Sequence, residues 1–419
     1  MTLFMLNYSR CNLHHYEATM NTKEDIISAL LTKSETYLSN IVSSKDLPIY
    51  SSVDIRDAGF KCAIVDTNLF PAGFNNLDQS QISVYASYFT NTIQEKHKNV
   101  KDILLIIESN SRNKWYLENI AVLKKILEHA GYNITLSSFL HDFPEECQQQ
   151  GYVILTSQSE EKLKINCLNR SAELVEDQKK NYDLILLNND LINGIPTFLK
   201  NLQIPILPSA SLGWHTRTKA EHFKCLHGLI NTYCENENCD PWLLSTYVEE
   251  CHDIDIFKAE AINELCEKAA HILAKTQQKY TEYNITEQPF VIIKANSGTY
   301  GMGVVSFENA EAIKTMNRKT KNKLSKGKGG SVIRSFIIQE GVPTQLVSNE
   351  KATEPCLYYI GKHLAGGFLR LNSIKNKRQN LNSLGMSFEP LQNINLTNMH
   401  IYEQLGKFAI TAVTKEEHS

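Results

Sequence analysis

Between residues 62 and 207 the chain repeats one pattern, an unbroken apolar run followed by a stretch with helical spacing. The runs are Cys62-Ala63-Ile64-Val65, Ile103-Leu104-Leu105-Ile106-Ile107, Ile134-Thr135-Leu136, Val153-Ile154-Leu155, Leu184-Ile185-Leu186-Leu187 and Ile204-Pro205-Ile206-Leu207. A strand that is apolar on both faces must be covered on both faces, and helices between the strands supply that cover. After the second run, Tyr116, Leu117, Ile120, Leu123, Leu127 and Ala130 share one helical face, and Gly131 stands where a C-terminal cap belongs. The pattern predicts an α/β unit on a mainly parallel open sheet over residues 50–210. A helix from about Glu24 to Leu47, within an N-terminal extension 1–49, precedes it.

Three of these runs lead straight into polar clusters. They are Asp66-Thr67-Asn68 continuing to Phe74-Asn75-Asn76, Glu108-Ser109-Asn110-Ser111-Arg112-Asn113, and Asn188-Asn189-Asp190. Ligands of open α/β sheets sit beyond the carboxyl ends of the strands. Three clusters at one sheet edge would make a polar pocket for a small zwitterion. The competing reading is that Asn and Asp favour turns and helix caps.

With 419 residues the chain fits two or three packed units. A 21% charged fraction and a net charge of -3 give no basic stripe for nucleic acid. No apolar run approaches the roughly 20 residues that span a bilayer, and the expected location is cytoplasmic. The ten cysteines form no CxxC unit; Cys234, Cys239 and Cys251 lie closest together, at a spacing that fits no common zinc pattern. They are expected to be reduced, small buried hydrophobes.

The second half is expected to be α+β. Helices are expected at about Ala220–Tyr233 and Lys258–Tyr280. Then comes the run Val291-Ile292-Ile293-Lys294-Ala295-Asn296-Ser297-Gly298-Thr299-Tyr300-Gly301-Met302-Gly303-Val304-Val305-Ser306-Phe307. Glycines let backbone amides approach a phosphate, and a lysine adds a point charge. A dinucleotide loop leads into a helix, and a P-loop carries Lys-Ser/Thr after its last glycine. A kinase has its lysine after the glycines. A strand ending in lysine, a glycine-rich hairpin and a returning strand match the ATP-grasp arrangement instead; a plain surface turn is the alternative. The basic stretch Arg318 to Lys328 is expected to be a solvated loop.

Phe336-Ile337-Ile338-Gln339-Glu340-Gly341-Val342 reads as a strand against which an adenine could sit, with Glu340 reaching its amino group or the ribose. A hairpin runs from Glu354 to Ile360 and back through Gly366-Gly367 to Arg370. Simple pairing puts Glu354 and Arg370 on opposite faces, and a bulge at the glycines would bring them together. Glu354, Asn380 and Asn382 offer oxygens to Mg²⁺, and Arg370 and Arg378 could neutralise a transferring phosphoryl group.

These residues resemble the bacterial ATP-grasp-like glutamate–cysteine ligases, from about Pro48 to Pro390. The resemblance rests on Ser52 to Lys61, Val65 to Leu77, Leu212-Gly213-Trp214-His215, Lys294 to Gly303, Gln339 to Val342, and Asn380-Leu381-Asn382 with Gly385-Met386. It implies two ATP-grasp subdomains (211–334 and 335–419), ATP and Mg²⁺, and small-molecule substrates glutamate and cysteine, with no nucleic-acid or membrane partner. Lys219 and Lys294 would clamp phosphates under Gly298 to Gly303, and Gln339 to Val342 would face the base. Asp54, Arg56, Asn68, Asn75, Asn76, Arg112 and Asn189 would hold the amino acids. Three departures stand out: Asn296 lies where the family prefers an acid, Ser109-Asn110-Ser111-Arg112-Asn113 is looser than the family's His-Thr-Arg-Asn pattern, and no Glu-x-Asn motif follows Pro390. The alternatives are another ATP-grasp carboxylate–amine ligase and a nucleotide-binding protein without catalysis.

Overall fold

The computed structural model describes residues 23–416, apart from 110–112, 140–149, 169–181, 201, 299–302, 328–331 and 392–393. It is a mixed α/β structure with three sheets. The strands, in chain order, begin with β1 (Tyr50–Asp57) and β2 (Cys62–Asn68). Next come β3 (Asp102–Ile107), β4 (Asn133–Phe139), β5 (Tyr152–Thr156), β6 (Lys162–Leu168), β7 (Leu184–Asn188) and β8 (Ile206–Leu207). The remainder are β9 (Val248–Cys251), β10 (Val291–Ala295), β11 (Val305–Phe307), β12 (Phe336–Glu340), β13 (Val347–Ser348), β14 (Lys351–Ile360), β15 (His363–Asn372) and β16 (Met386–Pro390). The main helices are α1 (Lys23–Leu30), α2 (Ser34–Ser39), α3 (Ile82–Lys96), α4 (Lys114–His129), α5 (Lys219–Glu237), α6 (Ala259–Glu282), α7 (Arg318–Ser325) and α8 (Leu396–Glu416).

The expected parallel sheet is present in the order β5-β6-β4-β3-β7-β8, with only β5 antiparallel. Its central strand β3 is buried from Ile103 to Ile107, as the unbroken apolar run requires. Helix α4 starts where the Asn113 side chain accepts the amides of Trp115 and Tyr116, and it ends before Gly131 at φ +91°.

The Cys62–Val65 run does not join that sheet. It is β2 of an antiparallel sheet, β16-β15-β14-β1-β2, that unites residues 50–68 with residues 351–390. The missed partner was β1, which alternates: Val53 and Ile55 enter one core while Asp54 and Arg56 face away. Two one-residue bulges decide what this sheet presents. Asp54 pairs with Asp66 but Ile55 pairs with Ile64, so Val65 is the extra residue. Tyr359 pairs with Leu364 but Tyr358 pairs with Gly366, so Ala365 is extra. The first bulge turns Asp66 to the face of Asp54. The second places Arg370 opposite Glu354, as expected, one residue before the glycine pair.

The third sheet, β11-β10-β12-β9, carries the glycine-rich hairpin, with Val291 opposite Phe307 and Ile293 opposite Val305. The expected N-terminal helix is broken into α1 and α2. The basic stretch expected as a loop is instead helical over α7: Asn317 accepts the Thr320 amide, Leu324 is fully buried, and Lys323 reaches the Val304 carbonyl at 2.8 Å. Its lysine stems lie along a helix anchored at one apolar position. Cys167 is disulfide-bonded, which departs from the expectation of reduced cysteines. Helix α8, unforeseen in the sequence, packs on α5 and on the back of β1 and β2. No described helix is long and apolar enough to cross a membrane.

Candidate active site

One face of the antiparallel sheet floors two adjoining clefts. Its opposite face, with Val53, Ile55, Ile64, Leu357 and Tyr359, is core. Asp54, Asp66, Arg370 and Asn382 line both clefts, so the two volumes meet at a set of charges.

These charges alternate in sign. Arg370 reaches Asp54 with Nη1 at 2.8 Å and Nη2 at 3.2 Å, and Glu354 Oε1 with Nη1 at 2.7 Å. The other Glu354 oxygen pairs with Arg56 Nε, and Arg56 also donates to the carbonyls of Lys377 (3.1 Å) and Gln379 (2.8 Å). Burial opposes the charge of Arg370, but Asp54 and Glu354 outweigh it and hold the guanidinium protonated. Its Nε is buried and without a hydrogen-bond partner among the described residues.

On the other side, Lys219 opens α5 and lies 2.5 Å from Asp66 Oδ1. Lys294, on β10, donates to the Val65 carbonyl at 2.7 Å, at the bulge itself. Burial lowers the Lys294 ammonium to about 8, partly countered by Asp66. For Asp66, burial pushes upward, but Lys219 and Lys294 prevail and bring it down to about 2. Asp66 is therefore a fixed negative charge and a weak base, whereas Lys294 is a cation short of counter-charge. A bound polyanion would restore its proton affinity.

Asn296 explains itself by position. Its carbonyl accepts the Lys219 amide at 2.7 Å and its Oδ1 the Ala220 amide at 2.9 Å, while Thr218 caps Glu221. An asparagine oxygen thus satisfies the start of the helix that presents Lys219.

The first cleft is lined by charged side chains and by apolar Phe290, Ile292, Val304 and Val342, and Gly298, at φ +107°, also borders it. Gly341 is a glycine by necessity, because a Cβ there would lie 2.3 Å from the Phe290 ring. Arg378 sits at the edge, stacked on Phe290 at 4.9 Å and bonded to the carbonyls of Gln288 and Pro289. The second cleft adds Asn68, Asn76, Trp214, Cys356, Tyr358 and Phe368.

Most residues named from the sequence meet here, but several are turned otherwise. Glu340 lines the first cleft, yet its carboxylate is consumed by Lys61 Nζ (2.9 Å), Trp242 Nε1 (2.9 Å) and the Tyr247 amide (3.0 Å). It has no free oxygen directed at a base or ribose. The Gln339 amide is held by Thr246 at 2.9 Å. Arg56 serves Glu354 rather than a ligand. Asn75 bonds to Asn76 at 3.3 Å and lines neither cleft. Asn189 is buried at the parallel sheet, where it ties the Ile107 carbonyl (3.1 Å) to the Leu191 amide (3.0 Å). Arg112, Thr299, Tyr300, Gly301 and Met302 lie outside the described residues. Asp66, Trp214 and the aromatic wall of the second cleft were not singled out. The polar run after Val65 held the signal for Asp66, but only the bulge turns it inward.

Glu354, Asn380 and Asn382 do not fit a metal cage as arranged. Both Glu354 oxygens are held by arginines, and Asn380 Oδ1 accepts the Asn382 amide at 3.0 Å. Among the described residues no three His, Cys, Asp or Glu side chains gather as a metal site.

The chain is similar to the solved structure of a provisionally named gamma-glutamylcysteine synthetase from Methylobacillus flagellatus KT. The identity is 30% and the TM-score 0.83, over 94% of this chain and 96% of that one. D-alanyl-alanine synthetase A from Vibrio cholerae O1 biovar eltor str. N16961 overlaps at a TM-score of 0.32 and 12% identity, over 74% of this chain and 79% of that one, a likeness too weak to carry an argument. No curated protein sequence matches. A family model described as glutamate-cysteine ligase matches residues 24–413, and the chain, a ligase, belongs to that family.

Proposed function

We propose that this ligase joins the γ-carboxylate of L-glutamate to the amine of L-cysteine, driven by ATP, giving γ-glutamylcysteine, ADP and phosphate. The observation that carries the reading is the junction: two clefts share Asp54, Asp66, Arg370 and Asn382. A reaction that transfers a phosphoryl group from one bound molecule to another needs such a meeting point. The nucleotide belongs in the first cleft, with its base between apolar walls and its phosphates toward Lys219 and Lys294. The amino acids belong in the second.

The γ-carboxylate oxygen attacks the terminal phosphorus, the bond to ADP breaks, and an acyl phosphate forms. Lys294 and Lys219 supply positive charge where the leaving phosphate gains negative charge. Arg370, already aligned by two carboxylates, lines both clefts and puts its positive charge where the acyl phosphate forms. The cysteine amine, as the free base, then attacks the acyl carbon, the bond to phosphate breaks, and the phosphate leaves with the proton that the nitrogen gives up. Asp54 and Asp66 attract the ammonium groups of the substrates and fix their orientation. Of the oxygens named for magnesium, both of Glu354 and the side-chain oxygen of Asn380 already have partners. The hairpin carrying Gly298 borders the first cleft, which supports its role as a cover over the phosphates.

The test is ADP release with each component omitted in turn. Release should require glutamate, and full turnover should require cysteine as well. Release that is unchanged without glutamate would remove the proposal.

A further inference from the structure

The cysteine group noted in the sequence has a structural explanation that the ligase reaction does not use. Helix α5 ends with Asn238 in the left-handed region, at φ 52° and ψ 46°. The next amide, Cys239 N–H, turns back to the Cys234 carbonyl at 2.9 Å. This six-to-one closure is a Schellman motif, in which the residue after the left-handed one packs against the residue three from the helix end. That contact is normally between two apolar side chains. Here both are cysteines, and both belong to the same hydrophobic cluster.

We infer that Cys234 and Cys239 form a reversible disulfide clasp at the C-terminal end of α5 when the protein meets a hydroperoxide. Both are free thiols in the structure; Cys234 is buried and Cys239 half-buried. Disulfides need closely spaced backbones with converging side chains, and a backbone hydrogen bond between the same two residues already enforces the approach. Cys239 reacts first because solvent reaches it. Its thiolate sulfur attacks one peroxide oxygen, the O–O bond breaks, and one water leaves, giving the sulfenic acid. The Cys234 sulfur attacks that sulfur, the S–O bond breaks, and a second water leaves. The two thiols lose two electrons and two protons, and the peroxide takes both. A dithiol reverses the step by exchange. The neighbouring Cys239 side chain and burial raise the Cys234 thiol, so it is the less reactive of the two toward peroxide.

The clasp has a defined neighbourhood. Asp240 follows directly, and its carboxylate holds the Trp242 amide (3.0 Å), Lys279 (2.6 Å) and the Tyr283 hydroxyl (2.8 Å). The linked form would pin the segment that positions Trp242.

The experiment treats the intact protein with hydrogen peroxide, alkylates the remaining thiols and digests with an endoproteinase that cuts after glutamate. Cleavage at Glu235 and Glu237 puts the two cysteines on separate peptides. The expected result is paired loss of alkylation at Cys234 and Cys239, with one cross-linked peptide that disappears after dithiothreitol. Cys239→Ser should abolish the link, and Cys234→Ser should leave Cys239 to proceed to the sulfinic acid. A wild-type digest in which Cys239 is over-oxidised without a link overturns the inference. So does linkage of either cysteine elsewhere, or retention of both thiols while the half-buried Cys225 is oxidised. None of these outcomes depends on which substrates the enzyme uses.

Discussion

The parallel sheet and the antiparallel sheet both end in polar residues, and the two put them to opposite uses. At the carboxyl ends of β3 and β7 the polar groups close on each other. Asn188 donates to the Pro71 carbonyl at 3.0 Å, Asn189 to the Ile107 carbonyl, and Glu108 accepts the Asp190 amide at 2.8 Å. That knot in turn holds the Trp214 amide through the Asp190 carbonyl at 2.8 Å. On the antiparallel sheet, Asp54, Asp66, Glu354 and Arg370 point into open clefts. Buried polar groups are satisfied either way. The difference is whether an open cleft lies beside them, and strand-end position alone does not decide that.

The sharpest way to break this contrast is at Lys294. Lys294→Ala should reduce kcat by about a hundredfold or more, the scale of losing one preorganised contact to developing charge. The measurement is amino-acid-dependent ADP release at saturating substrate; turnover near that of the wild type would mean that the cation beneath the glycine hairpin has no part in the chemistry.

Arg370→Leu comes next. It leaves Asp54 without its partner and Glu354 with Arg56 alone, in a site where Arg370 is only 7% exposed. The expected loss is about 3–5 kcal/mol in urea unfolding, typical of breaking a buried pair from one side. A loss below about 1 kcal/mol would show that water screens this cluster, as it does surface pairs.

Acid should separate two further groups. Glu416 is held down to about 2 despite burial, by Arg217 at 2.6 Å and by His222. Its contribution is whole above its ordinary value and is lost as pH falls toward 2. Burial lowers His227 from 6.5 to about 4, so the unfolded chain binds the extra proton in that window and stability declines as pH falls through it. His227→Gln should flatten the slope of stability between pH 6.5 and 4, and Glu416→Gln should flatten it only below that. A His227→Gln profile that coincides with the wild type would contradict the burial of that ring.

The smallest effect is the control. Asn189→Ala should lower stability by about 1–3 kcal/mol through its lost buried hydrogen bonds and leave the KM of both amino acids unchanged. A tenfold rise in either KM would restore the parallel strand ends to the substrate site.

Much of this was legible beforehand. The apolar runs gave β3, β4 and β7, and helical spacing with Asn113 and Gly131 gave α4, because periodicity and caps are local. The lysine-then-glycine order gave the β10–β11 hairpin. The strand of Glu340 was visible, but the engagement of its carboxylate was not, because the buried cation that holds it, Lys61, lies 279 residues away. Helix α7 was misread because a run of lysines hides the single position, Leu324, that anchors it.

The sequence by itself determined the strands and helices with strong local periodicity, and it supplied the charges of the site as residue types. Only the tertiary structure decided where those charges point. In a strand each added residue reverses the face, so one extra residue at Val65 and one at Ala365 determine whether Asp66 and Arg370 meet a ligand or the core. A bulge is defined by the partner strand, and the partners of β1 lie both next to it and some 300 residues further along the chain. No local pattern carries that register.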